Sequence, residues 1–318
     1  MENKNLCLER DAFRCRTCGN KENIKVVKLI DRIGEISNHL SNLISLCDRC
    51  ADIRHDLNNL SDNNKLGVLL CGGKATRMYP LTRTINKHLL PIGIIPMAFH
   101  PISTLQKMGI KRVVIVMDQC STMITETIGS GRAFGMSFNY KVQDGAFGIA
   151  DALSLAKDVA RPDDQIVCIL GDNVFDNEKI DISFSTDFDQ AYVYLKKVSD
   201  PKNYGIARLE NNKILEIVEK PTEFVGDSAV VGLYIYPHDV FDVIEHIEPS
   251  SRGELEVTAI NNFYIKNNRL NYRMVEGYWA DCGGSIQRYA EASMYGAKKA
   301  NVSEQEIDDF KAIVFDDK

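Results

Sequence analysis

No apolar run in this chain approaches the roughly 18–20 residues needed to cross a bilayer. The opening stretch Met1-Glu2-Asn3-Lys4-Asn5-Leu6-Cys7 is polar and lacks the apolar core of a signal peptide. Both absences point to a soluble, cytoplasmic chain with no membrane partner. Basic excess is missing too: 38 Lys and Arg face 44 Asp and Glu, for a net charge of −6. That balance argues against a strongly basic nucleic-acid binder. An acidic protein can still bind polyphosphate, because a metal ion supplies part of the countercharge. The sequence also has no internal repeat and no low-complexity tract, which excludes a repeat architecture.

What is present is length and cysteine. With 318 residues, 44% of them apolar, the chain can build one large domain, or a medium one and a small one. Four of its nine cysteines form two CxxC pairs, Cys15/Cys18 and Cys47/Cys50; the other five are scattered. In a reducing compartment such pairs favour metal over disulfides, and four thiolates at this spacing suit a closed tetrahedral Zn²⁺ site with a structural role. Residues 1–57 are rich in Cys, Arg and Asn, and Asn58 to Lys65 is a polar linker. A second domain is expected over 66–318.

From Leu66 the pattern becomes an alternation of strands and helices. Leu66–Leu70 is a short apolar run ending at Gly72-Gly73, a buried strand followed by a tight loop. Strands are also expected at Arg112–Met117, Phe138–Val142, Gln165–Leu170, Ala191–Lys197, Gly205–Leu209, Ile214–Glu219 and Val230–Tyr236. Helices are expected at Pro96–Met108, Ile149–Val159, 237–247, 255–266, 285–297 and 303–313. The rhythm implies an α/β, Rossmann-like mixed sheet, mainly parallel and covered by helices on both faces.

The chemistry concentrates in a few motifs. Paired glycines after a buried strand let backbone N–H groups approach a phosphate. In Gly72-Gly73-Lys74-Ala75-Thr76-Arg77, followed by Lys87-His88-Leu89-Leu90-Pro91, the loop gains a guanidinium fork and an ammonium point charge. Gly171-Asp172-Asn173 stands at the carboxyl end of a buried strand, where ligands of open α/β sheets gather. Asp281 follows Trp279, and Glu219-Lys220-Pro221 ends another strand.

These motifs, in this order, resemble the glucose-1-phosphate thymidylyltransferases within the sugar nucleotidylyltransferases. The likeness continues through Tyr140-Lys141-Val142-Gln143, Gly148, Tyr204-Gly205, Arg252 in Ser-Arg-Gly-Glu, and Glu291-Ala292-Ser293. It implies transfer of a nucleotidyl group from dTTP or UTP to a sugar 1-phosphate, glucose 1-phosphate or a relative, by in-line attack at the α-phosphorus. It implies catalytic roles for Arg77, Lys87 and Asp172, and nucleotide contacts from Gly72, Gly73, Thr76, Arg77, Gln143 and Gly148. Tyr204, Gly205, Glu219, Lys220 and Arg252 would hold the sugar phosphate, and Asp172 and Asp281 a catalytic Mg²⁺. It further implies a homo-oligomer. Two alternatives keep the fold: cytidylyl or guanylyl transfer, or a silent nucleotide-sugar-binding protein with a zinc interaction module.

Two departures stand out. Ala75 occupies a position where the family usually carries Gly. If that residue needs a positive φ, the loop is strained by about a kcal/mol or more; otherwise it uses an ordinary conformation. The N-terminal segment, with Glu9-Arg-Asp-Ala-Phe-Arg-Cys-Arg-Thr-Cys-Gly19, resembles an HNH endonuclease whose His positions are taken by Val27, Lys28 and Ala51. A zinc module without nuclease activity is the expectation. Acidic residues nearly balance its basic ones, so nucleic acid is not the favoured partner.

Overall fold

The structure is a computed structural model and describes residues 2–10, 12–14, 21–28, 43–47, 64–73, 75–119, 122–184, 187–250 and 252–300. The chain divides into two compact units, Met1–Asp62 and Asn63–Lys318. In the first, helix α1 (Glu2–Arg10) precedes strands β1 (Ile24–Lys28) and β2 (Leu43–Cys47), which pair antiparallel from Ile24↔Cys47 to Lys28↔Leu43. Val27 and Lys28 close β1, and buried Cys7 places its Sγ 3.6 Å from Ser45 Oγ. Cys47 ends β2, while Cys15, Cys18 and Cys50 lie outside the described residues, as does the helix expected at 303–313.

The second unit is built on strands that are apolar on both faces. In β3 (Lys65–Cys71), Leu66, Val68 and Leu70 enter one core while Leu69 and Cys71 enter another. Strand β6 (Arg112–Asp118) splits its residues the same way, Val114 and Val116 against Val113, Ile115 and Met117. Period-two alternation with no polar face explains why these runs read as continuously hydrophobic. Helix α2 (Phe99–Lys107) and α3 (Thr122–Ile128) cover one face. The other is covered by α4 (Ile149–Ser154), α5 (Val240–His246) and α6 (Val257–Lys266).

Four strands form a parallel block in the order β7 (Ser137–Gln143), β6, β3 and β8 (Gln165–Leu170). The long strand β13 (Ser228–Tyr236) then runs antiparallel to β8, which makes the sheet mixed. Its C-terminal half pairs with β8 and its N-terminal half with β11 (Gly205–Glu210), itself in a hairpin with β12 (Lys213–Glu219). Strand β10 (Ala191–Lys197) pairs antiparallel with β13 and parallel with β14 (Leu270–Met274).

Several small elements differ from the sequence expectation. Pro96 belongs to a two-strand clip, β4 (Pro91–Ile92) with β5 (Ile95–Pro96), and the helix starts only at Phe99. Helix α4 stops at Ser154, because beyond it Ala156, Lys157 and Val159 bond three residues back, as in successive turns. Strand β14 has too little alternation of polarity to stand out in the sequence. Nor did β9 (Asn173–Phe175) and β15 (Trp279–Asp281), which pair with each other, because each is three residues long.

The last described helix, α7 (Ile286–Lys299), packs on the β4–β5 clip through a backbone contact. A Cβ on Gly296 would lie 2.9 Å from Gly93 N and from the Ile92 carbonyl. Gly→Ala inside a helix ordinarily stabilises by about 1 kcal/mol. Here overpacking should dominate, so Gly296→Ala is expected to destabilise by about 1–3 kcal/mol in urea unfolding. A gain in stability would show that the clip and helix are not in contact.

Candidate active site

The loop after β3 is held open by backbone conformations that its sequence partly resists. Gly73 has φ +108°, and Ala75 adopts φ 46°, ψ 34°, the left-handed region. The ordinary conformation considered for Ala75 is therefore overturned, and its Cβ costs about 1–2 kcal/mol. Two contacts hold the loop in this shape. Thr82 Oγ1 donates to Ala75 O at 2.8 Å, and Met78 is fully buried. Thr76 and Arg77 lie on a single 3₁₀ turn, both exposed.

A second 3₁₀ turn carries Lys87. Asn86 caps it, its Oδ1 accepting from His88 N at 2.9 Å and lying 2.7 Å from His88 Nδ1. His88 is buried beneath the turn, where burial first and the Lys87 charge second push its imidazole down to about 3. It is a neutral prop, and Lys87 donates from above to Asp172 Oδ2.

Asp172 and Asp281 are brought together by β9 and β15, whose register places Asp281 opposite Asn173. Cys282 N donates to Asp172 O at 2.8 Å. Burial alone would raise the Asp172 carboxyl, but the Lys87 charge outweighs it and holds the group ionised. Asp281 moves the other way: burial, then the neighbouring Asp172 charge, raise it. Arg288, in the first turn of α7, approaches Asp281 at 3.7 Å and lies 5.0 Å over the Tyr204 ring.

Asn173 is the side chain on which this arrangement turns. Its Nδ2 donates to Asp172 Oδ1 at 3.0 Å. Its Oδ1 accepts from Gly232 N at 3.1 Å and from Trp279 Nε1 at 2.8 Å. Gly232 lies between the stretches of β13 that pair with β8 and β11, so Asn173 supplies the acceptor where the sheet forks. The sequence displayed Asn173 inside its motif but gave it no role, since its partners are remote in the chain. His88 and Arg288 were missed for the same reason.

A cavity of about 690 Å³ adjoins this cluster, lined by Gly73, Ala75, Lys87 and Gln143 among others. Gln143 ends β7. Its Nε2 donates to Gly148 O at 3.1 Å and to Asp151 Oδ2 at 2.7 Å, while its Oε1 is turned toward Gly72. Gly148 has φ +104°, and a Cβ there would lie 2.3 Å from Leu255 O. That contact ties the Gln143 end to the segment carrying Arg252. Arg77 is not among the side chains lining the cavity.

The remaining predicted residues gather around the β11–β12 hairpin. Gly205 pairs with Glu219 in the β11–β12 hairpin, and Lys220 N donates to Tyr204 O at 2.9 Å. Glu219 Oε2 accepts from Thr258 Oγ1 at 2.8 Å. Arg252 donates to Glu256 Oε1 at 2.7 Å and stands 3.7 Å from Glu219 and 3.8 Å from Glu254. Lys220 has Glu219 at 3.7 Å, in a backbone of φ 45°.

An open mixed sheet with a glycine loop and two converging carboxylates at its strand ends defines an α/β nucleotide-binding transferase. Residues 66–299 match the nucleotidyl transferase family, and the chain belongs to it. A glucose-1-phosphate thymidylyltransferase of Neisseria meningitidis is 32% identical over 234 residues, covering 71% of this chain and 81% of the relative. The low-salt glycan biosynthesis nucleotidyltransferase of Haloferax volcanii is 35% identical over 68% of this chain and 62% of the relative. A crystal structure from Bacillus anthracis, assigned to glucose-1-phosphate thymidylyltransferase and holding sucrose, superposes with TM-score 0.66 at 39% identity, over 73% of this chain and 95% of that one. UDP-glucose pyrophosphorylase with UDP-glucose shares the fold at TM-score 0.60 and 24% identity. The family match begins at residue 66 and does not extend to the N-terminal unit.

Asn173→Ala removes the acceptor for two N–H groups and should cost about 2–4 kcal/mol, read by urea unfolding. A loss under 1 kcal/mol would mean that water or a relaxed backbone replaces it. His88 makes acid stability testable. The unfolded ring binds a proton below its ordinary 6.5 and the folded ring only below about 3, so stability falls as pH drops through that window. Between pH 7 and pH 5 the wild type should lose about 2 kcal/mol more than His88→Gln. Equal losses would mean that the ring is solvated.

Proposed function

We propose that the chain transfers a nucleotidyl group from dTTP or UTP to a sugar 1-phosphate, glucose 1-phosphate or a relative, and releases pyrophosphate. The observation that carries this reading is the meeting of the glycine loop, Lys87 and Gln143 on the wall of one cavity, with Asp172 held by Lys87 and Asp281 brought beside it by the β9–β15 pair. The names of the relatives support the substrate pair.

The base preference follows from hydrogen-bond supply. A primary amide has two donors, and both of those on Gln143 are committed to acceptor-only oxygens of Gly148 and Asp151. Only Oε1 remains, an acceptor. Thymine and uracil offer it N3–H; cytosine presents a lone pair at N3 and can donate only from its exocyclic N4, so it would have to shift in the site to be read. Guanine offers N1–H, but a purine is the larger ring.

Both substrates are anions, so charge repulsion is the first obstacle. Lys87 sits at the reacting end, fixed by Asp172, and Lys220 faces the acceptor phosphate. Arg252 is held by Glu256 and two further carboxylates, which leaves Lys220 the freer cation. The sugar phosphate oxygen attacks the α-phosphorus in line; a P–O bond forms, the α–β bridge breaks, and pyrophosphate leaves with the electron pair. The nucleophile is ionised at neutral pH, so no base is needed. Positioning and electrostatic stabilisation carry the rate.

Asp172 and Asp281 fit a Mg²⁺ site. They are two carboxylates of one corner, where burial first and the Asp172 charge second raise Asp281, and Mg²⁺ takes one or two carboxylates together with phosphate oxygens and water. When bound, the ion offsets phosphate charge. A structural Zn²⁺ on Cys15, Cys18, Cys47 and Cys50 rests on thiol spacing alone.

The test is a pyrophosphate-release screen of dTTP, UTP, CTP, GTP and ATP against several sugar 1-phosphates. Turnover is expected with dTTP or UTP and glucose 1-phosphate, abolished by EDTA and restored by Mg²⁺. A preference for CTP would sink the base reading. Nucleotide binding without release under any pair would favour a silent binding protein.

A further inference from the structure

Among the described residues, two cationic side chains line the cavity, Lys87 and Arg83. Lys87 is already engaged by Asp172. Arg83 is exposed, and its guanidinium has no hydrogen bond or ion pair among the described residues. Its backbone N–H donates to Pro80 O at 3.1 Å, closing a turn. The preceding Thr82 is bonded to Ala75 O, so the glycine loop and the turn that presents Arg83 are tied together. Arg77, the loop arginine the sequence brought forward, stands outside the lining.

Acidic side chains, Asp118 and Asp144, also line the cavity. A polyphosphate entering it needs positive charge from the protein, and a guanidinium fork suits two phosphate oxygens at once. Gln143 marks the base end, and the Lys87–Asp172–Asp281 cluster marks the reacting phosphorus. A cation in the same cavity that belongs to neither is left for the remaining phosphates. We infer that Arg83 is a nucleotide-binding residue that grips the β- and γ-phosphates, the part of the substrate that departs as pyrophosphate. This assignment rests on the nucleotidyl-transfer reading for its reaction, but its binding chemistry can be tested without turnover.

The experiment compares the full-length wild type with Arg83→Gln and Arg83→Lys. Arg83 is on the surface, so both variants should keep the wild-type melting temperature. For Arg83→Gln the KM for the nucleotide, and for pyrophosphate in the reverse direction, should rise about tenfold to a hundredfold. The KM for the sugar 1-phosphate should not change. Arg83→Lys should recover only part of the loss, since it keeps the charge but not the fork. In parallel, inorganic triphosphate is titrated into each protein by calorimetry. Weakened triphosphate binding in Arg83→Gln supports the assignment even if no substrate pair turns over, in which case the transfer reading fails alone. Wild-type triphosphate affinity and wild-type nucleotide KM in Arg83→Gln would overturn the assignment while leaving the transfer reading intact. A rise confined to the sugar phosphate KM would also overturn it.

Discussion

The ion pair between Lys87 and Asp172 organises the candidate site because each partner is delivered by a different part of the chain and neither is tolerable alone. Both side chains are only 13% exposed. Removing two charges from water costs nearly as much as their attraction returns, so the pair contributes little net stability. What it contributes is position. An unpaired charge in that corner would cost several kcal/mol, so the two segments close on each other in one arrangement. His88 below and Asn173 beside are the groups that make the arrangement single-valued: a neutral ring props the lysine turn, and an amide orients the carboxylate.

The fork in the sheet gives that corner its place. A sheet that leaves one partner strand and takes up another must leave backbone donors between them without a ladder partner, and a buried unpaired N–H is costly. Asn173 meets the need at Gly232 and binds the indole of Trp279 with the same oxygen. A group that repairs the sheet thus also fixes a carboxylate. The small third core cluster serves a similar double purpose. Its members Met78, Val174 and Cys282 are chain neighbours of Arg77, Asn173 and Asp281. Their burial, worth roughly 1.5–3 kcal/mol for each large side chain, anchors the site loops without any functional group being spent on packing.

Much of the architecture was legible because its cause is local. Strands β3, β6 and β8 are apolar on both faces, and a short continuous apolar run bounded by glycine or polar residues reads as a buried strand. The glycine loop and the lysine turn could be read for the same reason. Elements lost to the sequence reading are those whose stability comes from a remote partner. The three-residue strands β9 and β15 exist only because they pair with each other, and the Pro91–Pro96 clip is defined by α7 lying across it. Helix α4 was overextended because its apolar spacing continues past Ser154, although its hydrogen bonds tighten there.

By itself the sequence determined an α/β chain with a glycine loop after a buried strand, because residue type and short-range spacing fix those, and the resemblance added two cations and two aspartates in the family's order. It also flagged Ala75, though not its left-handed φ, which depends on Thr82 bonding back across the loop. Only the tertiary structure decided which groups meet. It spent both donors of Gln143, engaged Arg252 with three carboxylates, and put Arg83 rather than Arg77 on the cavity wall. The reason is physical: charge and hydrogen-bond capacity are properties of a residue, whereas what remains unspent for a ligand is a property of its neighbours.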